Sequence, residues 1–391
     1  MKLQPYQKRT WAEINLDAVV HNFLTVRKQV RSEKTKLCCV VKANGYGHGA
    51  VQLSKQYEKL GADYLAVSNI EEAIQIRSNG IGLPILILGY TDPCCVNELF
   101  QYNITQCVFS YDYGVELSRN AVEQNVVVKI HIKLDTGMGR IGFLCTEDNL
   151  DLVDNVCRMQ GLIYEGIFTH FAVADEGEVG KEYTCSQFNK FMTAIEYLRV
   201  KGLTFSIRHC ANSAAIFDYP EMCLDMVRAG IVLYGLQPSN TLRCPGKLIP
   251  VMNLKTIISH IKIIHADQRV SYGGEYTATQ DVKVATIPVG YADGLWRSNY
   301  RNHMMVDVEG KLAPVIGRVC MDQCMIDVSN IPEAKVASEV TVYGTNGEVS
   351  IERIARANET ISYEIVCAVG ERVPRVYKEN SKIVTVIDSI V

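Results

Sequence analysis

Between residues 37 and 233 the chain alternates short apolar runs rich in Val and Ile with stretches of helical periodicity. The runs fall at 37–42, 64–68, 84–89, 105–110, 126–134, 163–170, 205–210 and 226–233, and helical stretches such as 51–60, 71–79, 115–124 and 185–201 separate them. A run that is apolar throughout reads as a strand covered on both faces, and helical crossovers join such strands in parallel. About eight such units predict a (β/α)8 barrel, whose reactive groups lie at the C-terminal ends of its strands. Lys42, Arg140, His170 and Arg228 all fall at or just beyond such ends.

After about Leu248 the rhythm changes. The runs 257–265, 282–288, 304–308, 315–321, 324–328 and 339–343 read as strands joined by polar turns, including Glu309-Gly310 and Asn346-Gly347. One helical piece, 351–357, interrupts them. The expectation is an α/β chain of two units: residues 1–248 form a TIM-like barrel and residues 249–391 a mostly β C-terminal domain. The first ten or so residues are expected to pack on the second unit. No low-complexity linker and no internal repeat is found, so the two units should pack closely.

Composition narrows the function. A chain of 391 residues, 48% hydrophobic and 21% charged, is long enough for two cores and has globular proportions. A net charge of −3 with no basic block argues against nucleic acid or an anionic membrane as partner. No apolar run approaches the ~18 residues that span a bilayer. Residues 1–10 are polar and lack a secretory core, so a cytoplasmic location is expected. The fourteen cysteines are scattered and include the adjacent pairs Cys38-Cys39 and Cys94-Cys95, which fits reduced core thiols better than disulfides. Cys320 and Cys324 have no nearby histidine, so no metal site is expected.

The string Lys42-Ala43-Asn44-Gly45-Tyr46-Gly47-His48-Gly49 carries the chemistry. A lysine ending a buried strand is partly desolvated, which disfavours the ammonium and frees the amine to attack a carbonyl. The glycines let the backbone turn and approach a ligand, and Tyr46 and His48 offer hydrogen-bonding groups beside it. This reads as a lysine that binds a carbonyl cofactor, with a tyrosine ready for a phosphate. The competing reading is a strand ending in a solvated lysine before a Gly-rich turn, and spacing alone does not separate the two.

The string resembles the pyridoxal-phosphate (PLP) motif of alanine racemases. The same resemblance is carried by His131-Ile132-Lys133-Leu134-Asp135-Thr136-Gly137-Met138-Gly139-Arg140, Phe168-Thr169-His170-Phe171-Ala172, His209-Cys210-Ala211-Asn212-Ser213 and Val227-Arg228-Ala229-Gly230-Ile231. Beyond residue 250 it continues in Val270-Ser271-Tyr272-Gly273, Val289-Gly290-Tyr291-Ala292-Asp293-Gly294, Gly317-Arg318-Val319-Cys320-Met321-Asp322-Gln323 and Ser362-Tyr363-Glu364. These segments are collinear and run from about Trp11 to Tyr377.

The resemblance implies the same barrel-plus-β fold, PLP as cofactor, and interconversion of L- and D-alanine that supplies D-alanine for peptidoglycan. It implies two proton-transfer groups on opposite faces of Cα, Lys42 and Tyr272. A free tyrosine has a pKa near ~10 and needs a partner to act as a base; His170 and Arg228 match the family's partners for it. Arg228 would also donate to the pyridine nitrogen, which stays unprotonated because a guanidinium does not give up its proton. Read alone, Arg228 fits a core-strand ion pair. Tyr46, Ser213, Gly230, Ile231 and Tyr363 match the phosphate contacts, with Asn212 in the same cofactor set. Read alone, Ser213 is a helix N-cap before Ala214-Ala215-Ile216. Arg140 and the backbone N–H of Met321 would hold the substrate carboxylate, and Tyr291 would line the entrance. Lys133 matches a position often N-carbamylated, giving an anion that orients Arg140. Unmodified, it would oppose Arg140 unless Asp135 relieves the conflict. In the family Tyr272, Tyr291 and Met321 come from the partner chain, which implies a homodimer with shared sites.

Three alternatives stand beside this. A serine racemase of the vancomycin-resistance type differs in substrate by one hydroxyl, which an apolar pocket rejects poorly; Ser362-Tyr363-Glu364 follows the alanine pattern. A PLP decarboxylase of basic amino acids would carry a Gly-Gly-Gly loop and a Cys-Asp motif, and neither is present. A non-catalytic single-barrel PLP protein would lack everything beyond about residue 250. Asn44-Gly45, where Asp-Ala or Asn-Ala is commoner, is a mild departure from the family pattern.

Overall fold

The structure is a computed structural model that describes all residues except 1–5, 8, 31, 240, 243–247, 346 and 391. Asn346 of the expected Asn346-Gly347 turn therefore lies outside the described residues.

Eight parallel strands form a nearly closed barrel: Lys36–Val40, Tyr64–Val67, Ile85–Ile87, Ile104–Val108, Val128–Asp135, Leu162–Phe168, Ile207–His209 and Met226–Ala229. The last pairs with the first. The remaining seam is bridged where Arg228 N–H donates to Ala211 O (3.0 Å) and Asp225 N–H to Arg208 O (3.1 Å). On the same seam the Arg208 guanidinium grips the Asp225 carboxylate at 2.6 and 3.1 Å. Helices Ala50–Lys59, Ile70–Ser78, Tyr111–Glu123, Glu147–Cys157 and Gly177–Val200 are among those that follow the strands. The last begins well before the expected 185–201. Its first two turns bury Gly177, Gly180 and Thr184, small or polar residues that leave no apolar stripe to read. The run 226–233 is a strand only to Ala229; the backbone breaks at Gly230 and Ile231–Tyr234 form a 3-10 turn.

The second unit is a ten-stranded sheet in the order His260–Ile264, Val282–Ile287, Cys324–Asp327, Lys311–Ile316, Met305–Val308, Glu339–Tyr343, Met252–Ile257, Thr10–Asn15, Arg375–Glu379, Lys382–Ile387. The expected run 257–265 is two strands, meeting between Ile257 and His260. The run expected at 315–321 lies earlier, at Lys311–Ile316, because Gly317 turns the chain with φ +66°. Thr10–Asn15 pairs antiparallel with Met252–Ile257 and parallel with Arg375–Glu379, so the start of the chain is a central strand of the second sheet. Glu13 fixes this register, its carboxylate lying 2.8 Å from Lys378 Nζ and 3.3 Å from Lys255 Nζ.

Candidate active site

The backbone after Lys42 turns the wrong way for an L-amino-acid helix. Ala43, Asn44 and Gly45 have φ/ψ of 52°/52°, 51°/47° and 61°/47°, and Tyr46 continues at φ 50°. Left-handed residues cost about 1–2 kcal/mol each, and Asn and Gly are the types that tolerate it best. The departure Asn44-Gly45 thus puts the two most tolerant residues in the middle of the turn. Neighbours hold it there. The Glu72 carboxylate accepts from Ala43 N–H (2.6 Å) and Ser68 N–H (2.8 Å). The Asn44 side chain accepts from Ala50 N–H (3.0 Å). From the second sheet, Arg375 Nε donates to Gly47 O (3.0 Å) and the Tyr377 hydroxyl to His48 O (2.8 Å). A Cβ on Gly49 would lie 1.9 Å from that hydroxyl, so only glycine fits. His48 is buried against Tyr234, its Nδ1 2.7 Å from Tyr46 O, and does not line the cavity.

Lys42 and Tyr46 open into a cavity of ≈660 Å³ at the C-terminal mouth of the barrel. Lys133, Arg140, His170 and Arg228 line it from the strands and their following loops. Asn212, Ser213, Gly230, Ile231 and Tyr363 complete it. Four basic side chains, Lys42, Lys133, Arg140 and Arg228, therefore share one space, and among the described residues none of them is ion-paired. Burial, then Arg140, pushes the Lys42 amine below its ordinary value. Burial, then Arg228, lowers Lys133 to about 7. Burial lowers Arg228 to about 10, which still leaves it cationic at neutral pH. The ion-pair reading of Arg228 does not hold.

Arg228 is instead held by neutral acceptors. Its guanidinium donates to Thr169 O (2.7 Å), Cys210 O (3.1 Å) and His209 O (3.2 Å), and faces His209 Nδ1 at 2.7 Å and His170 Nδ1 at 3.3 Å. A guanidinium only donates, so both Nδ1 atoms are acceptors and both protons sit on Nε2. The His209 Nε2–H then donates to His131 Nδ1 at 2.9 Å. Burial, with Arg228 next, holds His170 and His209 well below the ordinary imidazole range and His131 at about 3.

Opposite this pair lies a corner of hydroxyls. Ser213 Oγ accepts from Gly230 N–H (2.9 Å), so its own proton points elsewhere. Tyr46 packs on Tyr234 and Tyr363, with ring centroids 4.6 and 5.9 Å away. Burial raises the pKa of both Tyr46 and Tyr363, which keeps them neutral donors. A Cβ on Gly230 would sit 2.9 Å from the Tyr46 hydroxyl and 3.5 Å from Ser213 Oγ, so glycine keeps the corner open. Unpaired cations, a lowered lysine amine and converging hydroxyls together fit an anionic carbonyl compound with a phosphate, and PLP has that chemistry. The helix Ser213–Asp218 is capped by Asn212, whose side chain accepts from Ala215 N–H (3.0 Å); Ser213 is not the cap.

Asp135 relieves Lys133 only slightly, as the smallest of the influences on it, behind burial, Arg228, Cys107 and Arg140. Its Oδ1 accepts from Gly137 N–H (2.9 Å) and Gly139 N–H (3.1 Å), which shapes the loop to Arg140. The Lys133 amine donates to Leu134 O (3.3 Å) and lies over the Phe168 ring at 5.1 Å.

Tyr272, Tyr291 and Met321 do not line this cavity. They stand on loops of the second unit, 65%, 42% and 53% exposed. Tyr272 begins a turn between the short strands Arg269–Val270 and Tyr276–Thr277. Tyr291 N–H donates to Cys320 O (3.1 Å) and Ala292 N–H to Met321 O (3.0 Å), so the three belong to loops that touch. Below them Asp293 is fully buried between Arg9 (2.7 Å) and Arg372 (2.8 Å). Sequence reading gave no role to Glu72, Arg375, His131 or His209. The two histidines lie inside strings already singled out, whereas Glu72 reads as an ordinary acidic residue in a first helical turn.

No helix of the described residues is long and apolar enough to cross a membrane, and among them no cluster of His, Cys, Asp and Glu could hold a metal. Fold and cavity define a barrel enzyme with a β-sheet second unit, built to hold an anionic carbonyl cofactor on a lysine. The alanine racemase N-terminal domain family matches residues 14–238, and the alanine racemase C-terminal domain family residues 251–377. An alanine racemase of Desulforamulus reducens is 47% identical over 369 residues, which cover 94% of this chain and 98% of that protein. The solved structure of alanine racemase from Clostridium difficile 630 covers all of both chains at 40% identity with a TM-score of 0.93. That of Bacillus anthracis with bound L-Ala-P has 35% identity and a TM-score of 0.92, covering 98% of this chain and 99% of that one. The chain belongs to the alanine racemase family, an isomerase family that uses PLP.

Proposed function

We propose that the chain interconverts L- and D-alanine, with PLP held in the barrel cavity and each site completed by a second copy of the chain. The observation that carries this is the cavity itself, four basic groups with no carboxylate paired to them around an amine of lowered pKa. When bound, PLP supplies an electron sink that makes the substrate's Cα proton acidic. Lys42 is its attachment point. Tyr46, Ser213 and Tyr363 supply hydroxyls to the phosphate, with the backbone at Gly230 and Ile231, while Asn212 holds the turn that presents Ser213. Arg228 serves the ring nitrogen as a donor that keeps its proton.

Racemisation removes the Cα proton from one face and returns one on the other. Lys42 serves one face as a free amine, the form that burial favours. Tyr272 of the partner subunit serves the opposite face. His170 has its Nδ1 occupied by Arg228, so its Nε2–H is the donor available to the tyrosine oxygen, and such a donor stabilises the phenolate. Arg140 and the Met321 N–H hold the substrate carboxylate, and Tyr291 narrows the entrance. Lys133, lowered to about 7, is a neutral amine at mildly basic pH and is suited to add CO2. A bond forms between Nζ and the carbon of CO2, one N–H proton leaves to solvent, and the resulting carbamate is an anion that orients Arg140.

The exposure of Tyr272, Tyr291 and Met321 supports a symmetric homodimer, since aromatic and Met side chains at such exposure favour an interface. Residues 1–248 and 249–391 serve as the two working units, with Thr10–Asn15 lent to the second. The thirteen described cysteines are all free, which favours a reducing, cytoplasmic setting for a supply of D-alanine to peptidoglycan. The named relatives are alanine racemases, which favours alanine over serine. Initial rates on L-alanine and L-serine with added PLP test the reading; no racemisation of alanine, or faster turnover of serine, would overturn it.

A further inference from the structure

Ser271, the residue before Tyr272, has φ 66° and ψ −176°. That region of backbone space is nearly confined to glycine, and a side chain there persists only where the surroundings over-determine it. Here they do. Ser271 Oγ donates to Arg318 O at 2.6 Å, and Cys320 Sγ lies 3.6 Å from Ser271 Oγ. Gly317, itself at φ +66°, lies so close that a Cβ on it would stand 2.8 Å from both Ser271 Cβ and Val270 O. On the far side of Tyr272, a Cβ on Gly273 would meet the Arg318 guanidinium at 3.2 Å. The segment Gly317–Met321 thus touches the tyrosine turn before and after Tyr272, and the same segment ends in Met321.

Tyr272 itself is 65% exposed, so its own side chain does little to fix its direction. The backbone must aim it. The geometry points to Ser271 as a positioning residue: its hydroxyl locks a strained backbone so that Tyr272 is presented to the partner's cavity in one fixed direction. This rests on the two-base reading given above. The strain explains why a hydroxyl is needed. Without the bond to Arg318 O the residue relaxes toward an ordinary φ and swings the following side chain, while Lys42, on another chain, is untouched.

The test uses the PLP-loaded protein and follows exchange of the α-hydrogen of each alanine enantiomer in D2O by NMR. Ser271→Ala loses the hydroxyl and leaves the strain unopposed; Ser271→Gly loses both and frees the backbone to leave this conformation. Tyr272→Phe is run beside them. In both Ser271 variants exchange from L-alanine should fall by about 10- to 100-fold, the range of a misplaced proton-transfer group, while exchange from D-alanine changes by less than about threefold. A general loss of structure would slow both enantiomers equally. Should Ser271→Ala not fold, Ser271→Gly carries the test, since glycine adopts this backbone freely. Unchanged L-alanine exchange, or equal slowing from both enantiomers, in a folded variant overturns the role of Ser271 while Tyr272→Phe stays asymmetric. If Tyr272→Phe itself slows both equally, the two-base reading fails and this inference falls with it.

Discussion

In the barrel, Arg228 is buried and fixed by five neighbouring acceptors, and the turn after Lys42 is held by Glu72, Asn44, Arg375 and Tyr377. In the second unit, Tyr272 and Met321 stand more than half exposed on loop tips. One unit has set the protonation of its groups within a single chain. The other has fixed only where its backbone points, and in the proposed dimer the environment of its side chains comes from another copy. If the site is divided as proposed, chemistry depends on association, and two kinds of defect separate: damage to the barrel would disable a chain's own cofactor site, whereas damage to the second unit would disable its neighbour's.

The sharpest break in that comparison is Lys42→Ala. Racemase activity should fall by more than about 10³-fold, together with the visible absorbance of bound cofactor, measured on purified protein after PLP loading. Retention of that absorbance would remove Lys42 as the attachment point. Next, refolded equal mixtures of Lys42→Ala and Tyr272→Phe chains should recover activity from near zero to about a quarter of normal, because about half of the dimers are mixed and each of those regains one of its two sites. Heterodimers confirmed by mass but inactive would place both groups on one chain.

Tyr272→Phe alone should slow α-proton exchange from L-alanine by about 10²–10⁴-fold and leave exchange from D-alanine nearly normal. Net racemisation falls in both directions, since the equilibrium is fixed. A smaller effect is expected at Lys133. Stripping CO2 should raise KM about tenfold and bicarbonate should restore it, while Lys133→Met responds to neither. Unmodified Lys133 has a folded value of about 7 against 10.5 for an ordinary lysine. Between those limits the unfolded chain binds more protons, so stability rises with pH across that window and the penalty is full below pH 7. Lys133→Met should therefore unfold at a higher temperature than the CO2-free protein at pH 7, by calorimetry. The smallest effect is Gly45→Ala. A Cβ there lies 3.1 Å from Ala50 N at φ +61°, so about 1–2 kcal/mol of stability should be lost in denaturant titration, with both enantiomers slowed alike.

Much of the barrel was legible because its signal is local. Apolar runs such as 64–67 and 85–87 are buried on both faces and read as strands without knowledge of their neighbours. The candidate site residues came from the quoted strings, and most of them line one cavity. The sheet position of Thr10–Asn15 was not legible. Its partners lie more than two hundred residues away, and nothing within six residues names them. Glu72 stayed hidden for a related reason: it joins the N–H of Ser68, just before its own helix, to that of Ala43, 29 residues away, and nothing local signals the second bond. The left-handed turn at Ala43–Tyr46 could be anticipated only as flexibility from its glycines, because handedness depends on what Glu72, Arg375 and Tyr377 hold in place.

The placement of Thr10–Asn15 also imposes an order in time. This strand leaves the ribosome early, yet both its sheet neighbours are synthesised after residue 251. At ~5–20 residues per second, roughly ten to fifty seconds pass before the first neighbour emerges and longer before the second. The barrel strands follow one another in sequence and can close during that interval. The loop that carries Lys42 then awaits Arg375 and Tyr377, the last contacts to be translated that grip Gly47 and His48. A nascent or truncated chain can thus own a complete barrel and still lack the two bonds that fix its cofactor loop, which ties competence to bind the cofactor to the arrival of the final strands.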